Sequence, residues 1–352
     1  MELKIHPNDK MTPLERGRAI AEKRDYDRLI MDPFLGEVKA RIIGKNTREY
    51  WTDEDNLVMG DILSANRFGL DGMGVGPNAY GIAEAMGVVP HYPKQGLIYV
   101  EKHPIDSINE IDKLKNITME SGRLKMYYNA TARLREAAEG FCGVGVAVSG
   151  PITLAGFLLG TDKLLKAMIK APEKVHELLR YVTYNVKYVV DTFNKLDVGF
   201  SMADPIASGT MLSPRMYKEF AYPYTSEISS YIKEKSKRGP SYHVCGNTGK
   251  IRKYVKELDI GLFSVDNEMN IEETCEFFSD SKAIAGNVDP VAVVCNGSRE
   301  DIEREVKRCI LAGRKCEKGF VLTPGCNIPL ATTDENIDAF LDAGRKYSFI
   351  KE

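Results

Sequence analysis

Long hydrophobic runs are missing from this sequence: no stretch approaches the ~18 consecutive apolar residues that a membrane-spanning helix needs. The opening segment, MELKIHPNDKMTPLERGRAI, is charged and has no apolar centre. Neither a signal peptide nor a membrane anchor is therefore expected, and the reading is a cytoplasmic protein. Charge of one sign is also absent. With 48 Lys and Arg against 50 Asp and Glu, the net charge is −2. That removes the electrostatic case for binding nucleic acid or an anionic membrane surface. Phosphate-cradling glycine motifs are missing as well. Neither G-x-G-x-x-G nor G-x-x-x-x-G-K-[ST] opens a helix, and GMGVGP (72–77) has the glycines without the spacing. The cysteines are seven, an odd number irregularly spaced in a 352-residue chain. A chain this long needs no disulfide framework, so reduced thiols are expected. Histidines number only five, so the company each one keeps is informative.

What is present is an alternation. Short apolar runs end in Gly, Pro or polar residues: GVGVAVSGP (143–151), DVGFSMADP (197–205), GPSYHVCGN (239–247), IGLFSVDNE (260–268), KAIAGNVDP (282–290) and GFVLTPGCN (319–327). RFGLDGMGVGP (67–77) is a further strand-to-loop candidate. Longer amphipathic segments lie between. SREDIEREVKRCILAG (298–313) reads as a helix with Ser298 at its N-cap, Glu300 and Asp301 in its first turn and Gly313 as its stop. Strand and helix repeated this often imply an α/β protein with a parallel sheet. Length and the number of runs favour a closed (β/α)8 TIM barrel over an open doubly wound sheet. The expected organisation is one barrel domain over 1–352, with residues 1–60 as an N-terminal helical extension that helps build the barrel mouth.

In such a barrel, chemistry sits at the C-terminal ends of the strands. His243 and Cys245, in SYHVCGNTGK, are two apart on a strand and so share a face. A ring nitrogen and a thiolate suit zinc, and Cys326 in TPGCNIP supplies a third donor at another strand end. Three protein ligands leave a fourth position open, the mark of a catalytic zinc. Cys142, Cys275, Cys295, Cys309 and Cys316 read as structural thiols. Asp204, Asp266 and Glu268 end strands and are candidate catalytic acids, although Asp before Pro is more commonly a turn or cap residue. Asn287 and Asp289 read as strand terminators. Tyr50, Trp51, Asn78 and Tyr80 are candidate substrate-binding residues, with core packing the commoner role for the aromatics.

Five stretches together resemble the uroporphyrinogen decarboxylase superfamily: SGPITLAGFLLGT (149–161), MADPIASGTMLSPRMYKEFAYPY (202–224), HVCGNTGKI (243–251), AGNVDP (285–290) and LTPGCNIPLATTDENIDAF (322–340). They cover roughly the last two-thirds of the chain, in order. The nearest likeness is to the zinc-dependent, corrinoid-linked methyltransferase branch. It implies a (β/α)8 barrel with zinc on His243, Cys245 and Cys326. The decarboxylase proper uses an arginine-rich RQAGR-type segment and no metal; the comparable region here reads ARIIGKNTREYW (40–51).

Two jobs exist in the methyltransferase branch. DPFLGEVKARIIGKNTREYW and GVGPNAYGIAEAMG resemble the type that takes a methyl group from a methylated small molecule, a methoxylated aromatic, and gives it to Co(I) of a corrinoid protein. Zinc then takes up charge on the leaving oxygen. The alternative moves methyl from a methylcorrinoid protein to a thiol of the coenzyme M type, with zinc activating the thiol. A metal-free decarboxylase is the third reading. No corrinoid-binding D-x-H-x-x-G occurs here, so the cobalamin is expected on a partner protein docked over the barrel mouth. A homodimer is compatible with the sequence.

Overall fold

The computed structural model describes residues 2–349. Nine strands form two sheets. The main sheet is parallel throughout and holds β1 (Gly72–Met73), β4 (Gly143–Ser149), β5 (Gly199–Ala203), β6 (Ser241–Val244), β7 (Leu262–Val265), β8 (Ala283–Val288) and β9 (Phe320–Pro324), adjacent in that order. A small antiparallel pair, β2 (Val89–His91) and β3 (Tyr99–Lys102), stands apart. All six long apolar runs became strands. The RFGLDGMGVGP run kept only the two-residue β1.

The barrel has seven strands and a seam. The eighth position is taken by a single parallel bridge, Met31 to Leu322, with amide bonds from Asp32 to the Leu322 carbonyl and from Leu322 to the Ile30 carbonyl. Among the described residues no backbone pairing joins this segment to β1. The Asp71 carboxylate, just before β1, spans the gap by accepting from the Met31 amide at 2.8 Å. Around Asp71 lies a buried ionic network: Arg16 and Arg28 both reach it, Arg16 also bonds Asp27, and Asp9 joins Arg28 to Arg345. This network sits at the N-terminal end of the strands, the face of a barrel that serves stability.

The strands alternate with period two. In β5 and β6 the outward residues Phe200, Met202, Tyr242 and Val244 are buried under helices. Many inward residues are small: Gly143, Gly145, Ala147, Ser201, Ser241, Ser264 and Ala285 face the interior, beside the larger Leu262 and Val321. Bulky branched residues usually fill a barrel of this kind. Here the small ones leave it hollow from the seam to the C-terminal rim.

The outer helices follow the sequence signals. Arg299–Gly313 starts on a reciprocal capping box, Ser298 with Asp301. Its buried stripe of Ile302, Val306, Cys309 and Ile310 has helical spacing. Among the described residues no helix is long and apolar enough to cross a membrane.

Candidate metal centre

The hollow ends at three soft donors. His243 is the third residue of β6 and points inward, Cys245 follows one residue past the strand, and Cys326 stands two residues past β9. One donor atom from each lies within 4.8 Å of the others. Two glycines make the approach possible. Gly246, directly after Cys245, has φ of +71°, the left-handed region that a side chain disfavours. Gly325, directly before Cys326, lies so close to the Asn267 backbone that a Cβ would collide with its amide nitrogen. The glycine next to each cysteine is thus a backbone requirement of the thiol placement.

The sheet register orients the histidine. His243 pairs with Ser264 on β7, and the Ser264 hydroxyl lies 3.1 Å from Nδ1. A proton on Nδ1 directed at Ser264 leaves Nε2 to face the thiols, with Cys245 Sγ at 3.3 Å. A ligating histidine is normally held this way through its other nitrogen. Electrostatics point the same way. The neighbouring Cys245 thiol, then His243, hold the Cys326 thiol below its usual range, while the same thiol contact and burial push Cys245 up. The donor set, its spacing and its oriented histidine fit zinc. The cavity beside them has a volume of about 460 Å³ and includes Met202, Leu262, Val321 and Thr323 in its wall.

The other sequence candidates land elsewhere. Asp204 does not face the cavity. It is fully buried and accepts from the amides of Ile152 and Thr153 and from the Thr153 hydroxyl, capping the helix Pro151–Leu159 across the neighbouring strand. Burial raises its carboxyl to about 6, against the pull of those three donors. Its own amide bonds the His243 carbonyl at 2.9 Å, so it ties a helix start to the metal-site strand. Asp266 accepts from the Glu268 amide in a tight turn. Glu268 is exposed, with its carboxylate beside Gly246 at the rim.

Tyr50, Trp51, Asn78 and Tyr80 are not among the residues that line the two cavities beside the donors. Tyr50 is buried against Gly60 of the helix Glu54–Phe68, with Trp51 edge-on to it. Tyr80 stacks on Phe157, and Asn78 caps its own turn through the amide of Tyr80. These aromatics sit in the helical layer. The wall residues that sequence reasoning missed are Asp32, Phe34, Ser264 and Thr323. Ser264 was legible as the inward residue two before Asp266; Asp32 and Phe34 belong to the seam, which has almost no strand signal.

A model of the family described as Uroporphyrinogen decarboxylase (URO-D) matches residues 12–347, nearly the whole chain. The chain belongs to the uroporphyrinogen decarboxylase family. Relatives within it differ in activity. Methylcobamide:CoM methyltransferase MtbA of Methanosarcina mazei is 28% identical over 251 residues, 71% of this chain and 72% of its own. A uroporphyrinogen decarboxylase of Prochlorococcus marinus is 25% identical over 263 residues, 70% of this chain and 72% of its own. A solved structure titled "methyltransferase from Methanosarcina mazei" superposes with a TM-score of 0.84 at 20% identity, covering 96% of this chain and 99% of that one. That likeness establishes the shared fold.

Proposed function

We propose that this family member is a zinc- and corrinoid-dependent methyltransferase that carries a methyl group from a methylcorrinoid partner protein to a thiol. The observation that carries the reading is the N, S, S donor set at the C-terminal rim, open to a cavity on one side. A metal-free decarboxylase gives no account of two thiols and an imidazole converging from β6 and β9. The printed name of the 28% identical relative supports a thiol acceptor. The reading with a methoxylated aromatic donor rested on the N-terminal third, and its aromatic candidates lie outside the hollow.

His243, Cys245 and Cys326 would hold the zinc. Bound there, it supplies Lewis acidity at an open position and keeps a thiol ionised near neutral pH. The chain's own groups do the rest. Ser264 fixes the imidazole so that Nε2 is free as a donor. Cys245 and Cys326 would bind it as thiolates, releasing protons on loading. The small inward residues leave room for a thiol, and Leu262 and Val321 keep the wall around it apolar. Glu268, at the rim, is placed to meet an incoming partner or its proton.

Methyl transfer tests this directly. Zinc-loaded protein mixed with methylcobalamin and a small thiol should bleach the methyl-cobalt absorbance and yield a methyl thioether. Activity with a methoxylated aromatic and Co(I), and none with thiols, would reverse the direction proposed. Ser264→Ala should weaken zinc affinity by roughly 10-fold or more, the usual cost of losing a ligand's outer partner. Competition with a chromogenic chelator measures it; unchanged affinity would remove Ser264 from the site.

A further inference from the structure

The charge inside the barrel bears on the far end of the substrate. The hollow consists of two chambers that share Asp32, Phe34, Ser201 and Asn327 in their walls. The metal donors line one, and Lys39 lines the other. Besides the metal donors, Asp32 and Lys39 are the ionisable groups on these walls, and no arginine is among them. Lys39 is already engaged: its Nζ lies 2.8 Å from Oδ1 of Asp61, which is fully buried. The other Asp61 oxygen is buried without a hydrogen-bond partner, so this pair offers no surplus positive charge.

Asp32 is different. It is open to the cavity yet surrounded by protein, and among the described residues it has no ion-pair partner. Its Oδ1 accepts from the Phe34 amide at 2.9 Å, and among the described residues Oδ2 has no hydrogen-bond partner. Desolvation raises its carboxyl, and the pull of the Phe34 amide and of Lys39 does not offset it. Phe34 adopts φ of +48°, a conformation that bulky residues rarely take. The result is an aromatic ring on the cavity wall next to the carboxylate. A carboxylate beside an aromatic ring is a combination that receives cations. In the same wall, the Thr323 hydroxyl is buried with no protein partner.

We propose that Asp32 and Phe34 receive the positively charged amine end of a small thiol substrate, whose sulfur meets His243, Cys245 and Cys326 in the chamber they share. This rests on the thiol reading above and names the class of thiol. An anionic tail in the same place would face the Asp32 charge, with only the engaged Lys39 to offset it.

Calorimetric titration of the zinc-loaded protein at about pH 8, about four units above the ordinary aspartate value, decides the matter. The probes are 2-aminoethanethiol, 2-mercaptoethanol and 2-mercaptoethanesulfonate. The aminothiol should bind at least about 10-fold tighter than the sulfonate, the scale set by one partly screened charge contact. In Asp32→Asn, which keeps an acceptor for the Phe34 amide, that preference should shrink to near unity with zinc content and melting temperature retained. Tighter binding of the sulfonate by wild type, or a preference unchanged in Asp32→Asn, overturns the assignment while the thiol reading stands. Binding of none of the three overturns both.

Discussion

Cys326→Ala is expected to empty the metal site. Zinc measured by plasma mass spectrometry should fall from near one per chain in wild type to below about a tenth, because two remaining protein donors rarely hold a catalytic zinc. Thiol methylation should fall with it by about a thousand-fold or more, since the acceptor then has to ionise without help. The barrel itself should persist, because Cys326 lies beyond the end of β9 and contributes no strand hydrogen bond to the register of β8 and β9. The result would show one site assembled from segments about 80 residues apart in sequence, brought across the mouth by the curl of the sheet. Careful preparation without chelators that yields wild type free of zinc would sink the mechanism.

The second large effect is expected at the opposite face. Arg16, Arg28 and Arg345 are matched there by Asp9, Asp27 and Asp71, and Arg16 and Arg28 are almost fully buried. Asp71→Ala removes one of three negative charges and also the acceptor of the Met31 amide. Breaking one partner out of a buried ionic group typically costs about 3–5 kcal/mol. Urea unfolding followed by circular dichroism should therefore shift to a clearly lower midpoint. A loss below about 1 kcal/mol would mean that the network behaves like surface pairs, and the seam argument would fail. Acid should act on the same cluster. Burial raises the Asp27 carboxyl, but bonds from Arg16 and from the Lys10 and Met11 amides outweigh it, so the net shift is downward; Asp9 is lowered likewise by Arg28 and Arg345. With folded values below the unfolded one, the unfolded chain binds more protons in acid. This stability is complete above the ordinary aspartate value of about 4 and is lost progressively as pH falls below it.

How much of this was readable in advance follows from where signals are periodic. Six strands announced themselves because each is a compact apolar run closed by Gly, Pro or polar residues, and alternation then placed His243 and Cys245 on one face. Cys326 was found because it ends such a run. The seam escaped because Ile30 to Asp32 pairs with β9 through one bridge, too short to leave a pattern. Asp32 and Phe34 went unnoticed with it, although both face the cavity. Tyr50 and Trp51 show a different difficulty. Aromatic residues near a candidate substrate segment look alike whether they face a cavity or a helix, and Gly60, which lets Tyr50 pack against its helix, lies ten residues further on.

The strands carry two independent inventories. Their outer faces hold the large side chains under the helices, whereas Ser201, Ser241 and Ala285 on the inner faces line the hollow. Exchanging an inner residue for a larger one reshapes what the hollow admits without disturbing the packing that keeps the chain folded. Substrate range can therefore drift in this architecture one side chain at a time, with the metal donors and the fold left in place.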